Sequence, residues 1–432
     1  MKSHPEKSSL ALWLFAAGFF ACTWDTLFTH ELGGFTIKLY QPLFLLSSLA
    51  VLCAYRQKGL ATFVRPLGRP FAACMLLLAG YNMGLSPWSA FPLKSFLYSG
   101  WLLFAITVIW LTAQHLRTQI SALVLPRIAW FTLNFLSLVV LVDQVAYQFG
   151  KTGGLIGGNQ DSLLHWGMSR PHAFSSEPSY LASFLGLGLL TCAAQIWKSS
   201  QRKWMFWASL LLILFANVAT TSRTGWVALG LGLGAYVFFA LLAGRRVPWR
   251  FLAAFLAMVT VVVAIFYLST PHEQRTVLKN SLVNTIATGN DGSGNARLRA
   301  HILAFHFAQD THWLGTGMGA SYRYFLNHGG TDSTVPAGFT SQHYGNEVIM
   351  SMWGQLLAEG GPVSVLLFAL SGFFMTRELF RRWKKENDLL ALGSLSASVV
   401  FFGFIAFWIG NVCRGDIWVW YALWSASAVT EA

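Results

Sequence analysis

One arginine of this sequence lies between two apolar stretches that are joined by almost no connecting chain. Arg223 occupies the turn Thr220-Thr-Ser-Arg-Thr-Gly225. A cation at such a depth is costly unless it lines a wet cavity or meets an anion. Snorkelling of the side chain to lipid headgroups is the other interpretation, but snorkelling does not require so tight a turn. The turn therefore predicts an anion-binding arginine.

A second group of charged residues precedes another apolar stretch. Arg170 and Glu177 lie in Ser169-Arg-Pro-His-Ala-Phe-Ser-Ser-Glu-Pro-Ser-Tyr180. Ser176 or Glu177 could cap a helix whose first turn holds Pro178. Capping alone explains Glu-Pro-Ser but not Arg170, which becomes a candidate anion ligand. For Glu177, capping and a catalytic role both stay open.

Two further arginines head an amphipathic segment. Residues 296–308 are predicted to form a helix, because Leu298, Ile302 and Phe305 recur at helical spacing. Arg297 and Arg299 stand at its start, where positive charge opposes the helix dipole. A bound anion nearby would account for this placement, and exposure to solvent is the alternative.

His343 and Glu347 are four residues apart in a helix predicted over 341–359. This spacing places them on one helix face. A neutral imidazole oriented by a carboxylate can act as a general base. The alternative is an exposed polar helix end.

Other motifs argue against a metal or a nucleotide cofactor. Gly315-Thr-Gly-Met-Gly319 follows no predicted strand and has no lysine in the place that a phosphate loop requires, so it is predicted to be a turn. The histidines lack zinc spacing and the acidic residues are scattered. We expect a site without metal or cofactor. For Arg323 and Arg414, contact with solvent or lipid phosphate is expected over catalysis.

The elements that must position these residues are membrane helices. The chain has 432 residues, of which 55% are hydrophobic and 11% charged, against about 25% charged in soluble domains. A helix needs about 20 apolar residues to cross the hydrocarbon core, and twelve stretches qualify as predicted spans. Their limits are 9–28, 35–55, 71–87, 96–114, 128–148, 178–197, 204–221, 225–243, 251–269, 358–377, 390–410 and 416–430. The predicted fold is all-α and polytopic, with residues 1–432 as a single integral membrane domain and an uncleaved first helix.

The net charge of +13 does not indicate a nucleic-acid partner. Most Lys and Arg lie at the N-terminus or in short loops that one consistent topology makes cytoplasmic, as the positive-inside rule requires. Both termini are then predicted to be cytoplasmic in the bacterial inner membrane. The long loops 149–176 and 270–357 fall on the periplasmic side. The loop 270–357, between the ninth and tenth spans, is predicted to be largely helical and to cover the site.

The order and sidedness of these motifs resemble one family. The segment 170–180 before one span, Ser222-Arg-Thr-Gly225 between two, and the long loop with Arg297 and Gly315-x-Gly-x-Gly319 are similar to the O-antigen polymerase and O-antigen ligase superfamily. His343 stands farther from the glutamate of Leu357-Ala-Glu-Gly-Gly361 than the family's histidine does. The resemblance covers about residues 165–375.

The resemblance implies a glycosyltransferase that uses an undecaprenyl-diphosphate-linked oligosaccharide as donor. It implies that Arg223 and Arg297 contact the diphosphate and that His343 serves as base or orients the acceptor. A polymerase would extend another lipid-linked repeat unit, whereas a ligase would transfer the glycan to lipid A core. Glu177-Pro-Ser-Tyr180 looks more like the polymerase branch, which includes exopolysaccharide and capsule enzymes. A chain-length regulator and a flippase are candidate partners, and a polysaccharide or lipid-carrier transporter is the alternative of another class.

Overall fold

The structure, a computed structural model, is predominantly helical. It describes residues 5–24, 27–32, 35–55, 59–149, 164–165, 168–169, 171–175, 177–245, 249–269, 292–321, 324, 349, 351–408, 412 and 414–429. Within these ranges, helices α1 to α16 are, in order, Pro5–Ala21, Tyr40–Tyr55, Leu60–Val64, Pro70–Leu85, Pro92–Phe104, Leu111–Gln119, Val124–Gln148, Pro178–Ser199, Lys203–Ala219, Arg223–Leu242, Trp249–Ser269, Gly292–Asp310, Met352–Glu386, Leu389–Val400, Ala406–Trp408 and Gly415–Ala428. The π-helical segments Ala105–Trp110 and Phe401–Ile405 join α5 to α6 and α14 to α15.

Six helical segments in the described ranges are long and apolar enough to cross a membrane. A bent pair, Leu60–Gly68 with Pro70–Trp88, makes a seventh if it is counted as one span. A helix lies at each of the twelve predicted stretches, but the remaining ones are shorter or less apolar. The polytopic helical architecture is therefore supported, and the number of twelve spans stays a prediction.

One boundary of the predicted architecture is wrong, although the helical class is supported. Two short hairpins lie beside the helices, since β1 (Thr29–Leu32) pairs antiparallel with β2 (Phe35–Lys38), and Leu164–His165 pairs with Met168–Ser169. The predicted span 35–55 therefore becomes helical only at Tyr40.

The prediction of one continuous helix over 341–359 is also wrong. Ser351 has extended backbone, with φ −125° and ψ 132°, and its hydroxyl accepts a hydrogen bond from the Gly354 N–H at 3.2 Å. A serine in this role is an N-cap, the residue directly before the start of a helix. The helix α13 therefore begins at Met352.

Helices α8 and α16 form the centre of the bundle. Nearly all of α8 from Pro178 to Ala194 is buried, and every residue of α16 is buried. Small residues allow this close packing, as is usual between membrane helices. A Cβ atom placed on Gly188 would lie 2.7 Å from the Leu133 side chain and 2.9 Å from Trp420.

The two ends of α16 carry different groups. At its C-terminal end, Arg117 and Arg382 both donate hydrogen bonds to the Val429 carbonyl, at 3.1 and 2.9 Å. Arg382 also pairs with Asp388 at 3.1 Å. At its N-terminal end, Arg414 is buried against Asp416. Arg117 and Arg382 thus hold one end of α16, and the candidate site lies at the other end.

The packing of α14 on α8 depends on Gly393. A Cβ atom at this position would lie 2.5 Å from the Leu190 carbonyl oxygen and 2.6 Å from that of Thr191. We expect Gly393→Ala to lower the free energy of unfolding by about 1–3 kcal/mol, because backbone atoms must separate. Thermal unfolding in detergent measures this loss. Gly230→Ala on α10 is the matched control, since nothing lies within 4 Å of its Cβ position, and equal stability of both variants would contradict the assigned packing.

Candidate functional site

Three helices begin at the same end of the bundle, which we call the polar end. The first turn of α10 packs on that of α8, because a Cβ atom on Gly225 would lie 2.4 Å from the Ala182 Cβ. The Arg414 guanidinium, just before α16, lies 3.4 Å from the centre of the Tyr180 ring in α8. The polar end therefore gathers the starts of α8, α10 and α16.

Helix α12 lies at this end as well. The His301 ring of α12 stacks on Phe407, with 4.0 Å between ring centroids. Phe407 belongs to α15, which continues α14 after its π-helical segment. The segment predicted to carry Arg297 and Arg299 is thus fastened to the membrane helices.

Arg223 is the first residue of α10, and its turn is built from buried polar groups. The Ser222 hydroxyl caps the helix by accepting a hydrogen bond from the Gly225 N–H at 3.3 Å. The Thr220 hydroxyl donates to the carbonyl oxygen of the buried Asn217 at 2.7 Å. Arg223 itself is half-buried. The cap and the buried hydroxyl hold the arginine at the positive end of the helix dipole, where an anion is stabilised.

Glu177 occupies the N-cap position of α8, but not as a side-chain cap. Its backbone is extended, with φ −143° and ψ 148°, and in the described part of the chain no backbone N–H of the first turn donates to its carboxylate. The carboxylate instead accepts a hydrogen bond from the Ser179 hydroxyl at 2.7 Å. Capping through the side chain is therefore wrong for Glu177, while its catalytic role stays a prediction.

Arg414 does not contact solvent or lipid phosphate as predicted. Its side chain is buried, its Nε donates to Asp416 Oδ1 at 3.0 Å, and a second guanidinium nitrogen bonds Asp416 Oδ2. A bidentate pair of this kind gives a buried guanidinium a fixed orientation. The sequence expectation failed because it counted distance from the apolar stretch and had no means of placing Asp416 and Tyr180 around the arginine.

Helix α12 confirms that residues 296–308 are helical, but it begins at Gly292, so Arg297 and Arg299 lie beyond its first turn. Arg297 is half-buried, Arg299 is exposed, and Leu298 and Ile302 are exposed. Ala304 and Phe307 instead face a small cluster with Ile349 and Ala358. The apolar face predicted from spacing is therefore not the face that packs on the bundle.

The tautomer of His301 follows from its partner. Its Nε2 lies 2.8 Å from the Phe407 carbonyl oxygen, which can only accept a hydrogen bond, so Nε2 carries the proton. Nδ1 faces Gly354, where an added Cβ would lie 3.4 Å away. Burial lowers the pKa of His301 below its ordinary value, against the opposing effect of the bond to Phe407. The neutral imidazole is therefore favoured in the folded protein.

The glycine-rich turn after α12 wraps an anion that belongs to the chain itself. The Gly319 N–H donates to Glu359 Oε2 at 2.7 Å, and the Ser321 N–H to Oε1 at 3.3 Å. Gly315, Gly317 and Gly319 all have positive φ, and a Cβ on Gly315 would lie 2.4 Å from the Glu359 carbonyl oxygen. Successive N–H groups in such a turn form an anion-binding concavity. The predicted turn is confirmed, and its ligand is a carboxylate of α13.

Sequence reasoning missed the surroundings of this carboxylate. Gln355 donates to Glu359 Oε2 at 2.9 Å and accepts from the Val412 N–H at 3.0 Å, which ties α13 to the segment before α16. Lys94, buried in the first turn of α5, interacts electrostatically with Glu359. An acidic residue inside an apolar stretch and a lone lysine at the start of another were the available signals.

Five of the residues singled out in the sequence lie outside the described residues: Arg170, Ser176, Arg323, His343 and Glu347. Their proposed roles remain predictions. Among the residues that the structure describes, no group of three or more His, Cys, Asp or Glu could hold a metal ion.

The fold and the polar end define a polytopic helical membrane protein in which α12 packs against one end of the helix bundle. Residues 208–346 match the family model described as O-antigen ligase. The resemblance to the O-antigen polymerase and ligase superfamily is thus confirmed over this segment, which includes Arg223, Arg297, Arg299 and His343. No curated protein matches the chain.

The contact of His301 with Phe407 should depend on pH. Because its pKa is lowered on folding, the unfolded chain binds more protons below the ordinary value of about 6.5. The contact's contribution to stability is complete above that pH and is lost as the pH falls. His301→Gln should flatten the decline of the melting temperature between about pH 7.5 and 5.5.

His306→Gln is the matched control for this measurement, since His306 is an exposed histidine on the same helix. It should retain the slope of the wild type. An unchanged slope in His301→Gln would contradict the assignment.

Proposed function

We propose that the protein is a bacterial surface-polysaccharide polymerase that acts at the periplasmic face of the inner membrane. It transfers a glycan from undecaprenyl diphosphate to the sugar of another lipid-linked repeat unit, and the product is an O-antigen, capsule or exopolysaccharide. The observation that carries this proposal is Arg223, held by a capped turn at the start of α10 within the segment that matches the O-antigen ligase family.

The reaction makes a demand that this arginine meets. When the acceptor hydroxyl attacks the anomeric carbon, the bond to the diphosphate breaks and negative charge develops on the departing oxygens. A planar guanidinium matches two such oxygens and stays charged without a metal. The N-terminus of α10 adds its own partial positive charge at the same point. In this proposal Arg223, Arg297 and Arg170 bind the diphosphate, with Arg299 beside them.

The acceptor hydroxyl must lose a proton during transfer. We assign this step to His343, oriented by Glu347, with Glu177 as the third catalytic residue at the polar end. General-base assistance of this kind contributes roughly 10²–10⁴-fold to a rate. The position of Glu177 supports its part, since its carboxylate is held by Ser179 and is not used to cap α8.

A second candidate is an O-antigen ligase, which would transfer the glycan to lipid A core. The description of the matched family favours it, whereas Glu177-Pro-Ser-Tyr180 favours the polymerase. A transporter is disfavoured, because passage across the membrane requires access from both leaflets, and the candidate anion ligands that the structure describes, Arg223, Arg297 and Arg299, lie at one end.

Substitution of Arg223 tests the diphosphate role. We expect purified Arg223→Ala protein to transfer glycan about 10²–10³-fold more slowly, as when one preorganised donor is removed from a transition state. Arg223→Lys should recover little, because an ammonium cannot form the bidentate contact. Arg381→Ala is the control, since Arg381 is exposed near the other end of α13 and pairs with Glu378. Full transfer by Arg223→Ala would remove this arginine from the mechanism.

Deletion of the gene separates the two candidate activities. Loss of a polymerase should leave single repeat units on the lipid carrier, whereas loss of a ligase should leave long unattached chains. Thin-layer analysis of the lipid-linked glycans distinguishes these products. Accumulation of long chains would overturn the polymerase assignment and support the ligase.

A further inference from the structure

The carboxylate of Glu359 is completely buried, yet it takes no part in the proposed chemistry. Its exposed fraction is 0%. Burying a carboxylate is costly unless hydrogen bonds and an opposite charge compensate it. The N–H groups of Gly319 and Ser321, the Gln355 amide and the nearby Lys94 all favour the charged form here. So complete a set of partners indicates that the carboxylate holds something in place.

What it holds is the segment that directly follows α12. The Thr316 and Gly317 N–H groups donate to the Ala358 and Glu359 carbonyls, each at 2.9 Å. With the two bonds to the carboxylate, four hydrogen bonds join this short turn to one turn of α13. The C-terminal end of α12 is therefore fastened to the membrane helices through Glu359.

The second attachment of α12 lies one helical turn from its arginines. His301 bonds to Phe407 at 2.8 Å, and Arg297 precedes it by four residues on the same helix face. Ala304 and Phe307 hold the next part of the helix in their cluster with Ile349 and Ala358. The glycine turn fixes a further point beyond Asp310, so the C-terminal end of α12 is held as well.

We propose that Glu359 is a positioning residue that sets the place of α12, and with it the affinity of Arg297 and Arg299 for the diphosphate of the lipid-linked donor. Glu359 itself touches no substrate. This inference rests on the proposed function, in which those arginines bind the diphosphate.

The position of α12 can be measured directly by the distance between two spin labels. Leu298 on α12 and Leu366 on α13 are suitable sites, since they are 52% and 57% exposed. The full chain with its five cysteines replaced carries the labels. We expect a narrow distance distribution with Glu359 and a broad one in Glu359→Gln. A glutamine has a single acceptor oxygen, and its amide N–H groups would meet the N–H donors of the turn.

Binding of undecaprenyl diphosphate to the detergent-purified variants gives the second readout. Glu359→Gln should bind it about 10- to 100-fold more weakly, because the loss of one charge-assisted hydrogen bond to the diphosphate has an effect of roughly this size. Glu378→Gln is the matched control. Glu378 lies on the same helix, partly exposed and paired with Arg381, so both readouts should remain those of the wild type.

The outcomes distinguish failure of this inference from failure of the proposed function on which it rests. A broadened distribution with weaker binding supports the inference. Weaker binding with an unchanged distribution, or a broadened distribution with unchanged binding, overturns it. Failure of the proposed function has a different signature, in which Arg297→Ala binds the lipid diphosphate as tightly as the wild type does.

A second variant serves if Glu359→Gln does not fold. Gly319→Ala keeps the charge of Glu359 but disturbs the turn, since Gly319 has a φ of 72° and an added Cβ would lie 2.9 Å from the Tyr98 ring. It should broaden the distance distribution and weaken binding in the same direction. Wild-type behaviour of Gly319→Ala in both measurements would also overturn the inference.

Discussion

Two carbonyl groups of α13 lack their usual hydrogen-bond donors within the helix. The attachment of α12 depends on how these carbonyl groups are satisfied. The Ala358 carbonyl would pair with the N–H four residues on, but Pro362 has none. Gly361, with φ 67°, turns the chain away at the same point. Unsatisfied carbonyls in an apolar interior are costly, so the N–H groups of the glycine turn supply the missing bonds. The segment that follows α12 is thereby attached to α13 at the point where Gly361 interrupts the helix.

The glycines on both sides of this contact have one physical cause. A Cβ atom on Gly315 would lie 2.4 Å from the Glu359 carbonyl oxygen, and one on Gly361 would lie 2.3 Å from the Trp313 carbonyl oxygen. Each glycine also has positive φ, which residues with a side chain rarely adopt. The two backbone segments approach so closely that neither of them tolerates a side chain at these positions.

Buried arginines at both ends of the bundle are neutralised by carboxylates. Arg382 is fully engaged with Glu386, Asp388 and backbone carbonyls at one end, as a structural cation should be. At the polar end, Arg414 is paired with Asp416 in the same manner. Arg223 and Arg297 are half-buried there. Partial exposure leaves a guanidinium group accessible to a ligand, as the proposed roles require.

The sequence by itself determined where helices form, because apolar length and the residues that begin or end a helix act locally. Each of the twelve apolar stretches carries a helix, Ser222 caps α10 in the turn noted from its residues, and Gly315–Gly319 is a turn. The arginine-rich loops also predict one consistent topology, because positive charge is enriched in cytoplasmic loops.

Only the tertiary structure decided which charged groups meet. Arg414 was expected at a wet surface and is buried under Tyr180 because Asp416 neutralises it there. In the sequence, Glu359 served only to mark the Leu357–Gly361 motif. In the structure, its carboxylate accepts a hydrogen bond from a turn some 40 residues before it. Contacts of this kind depend on the relative positions of helices distant in the chain, and hydrophobic periodicity carries no information about them.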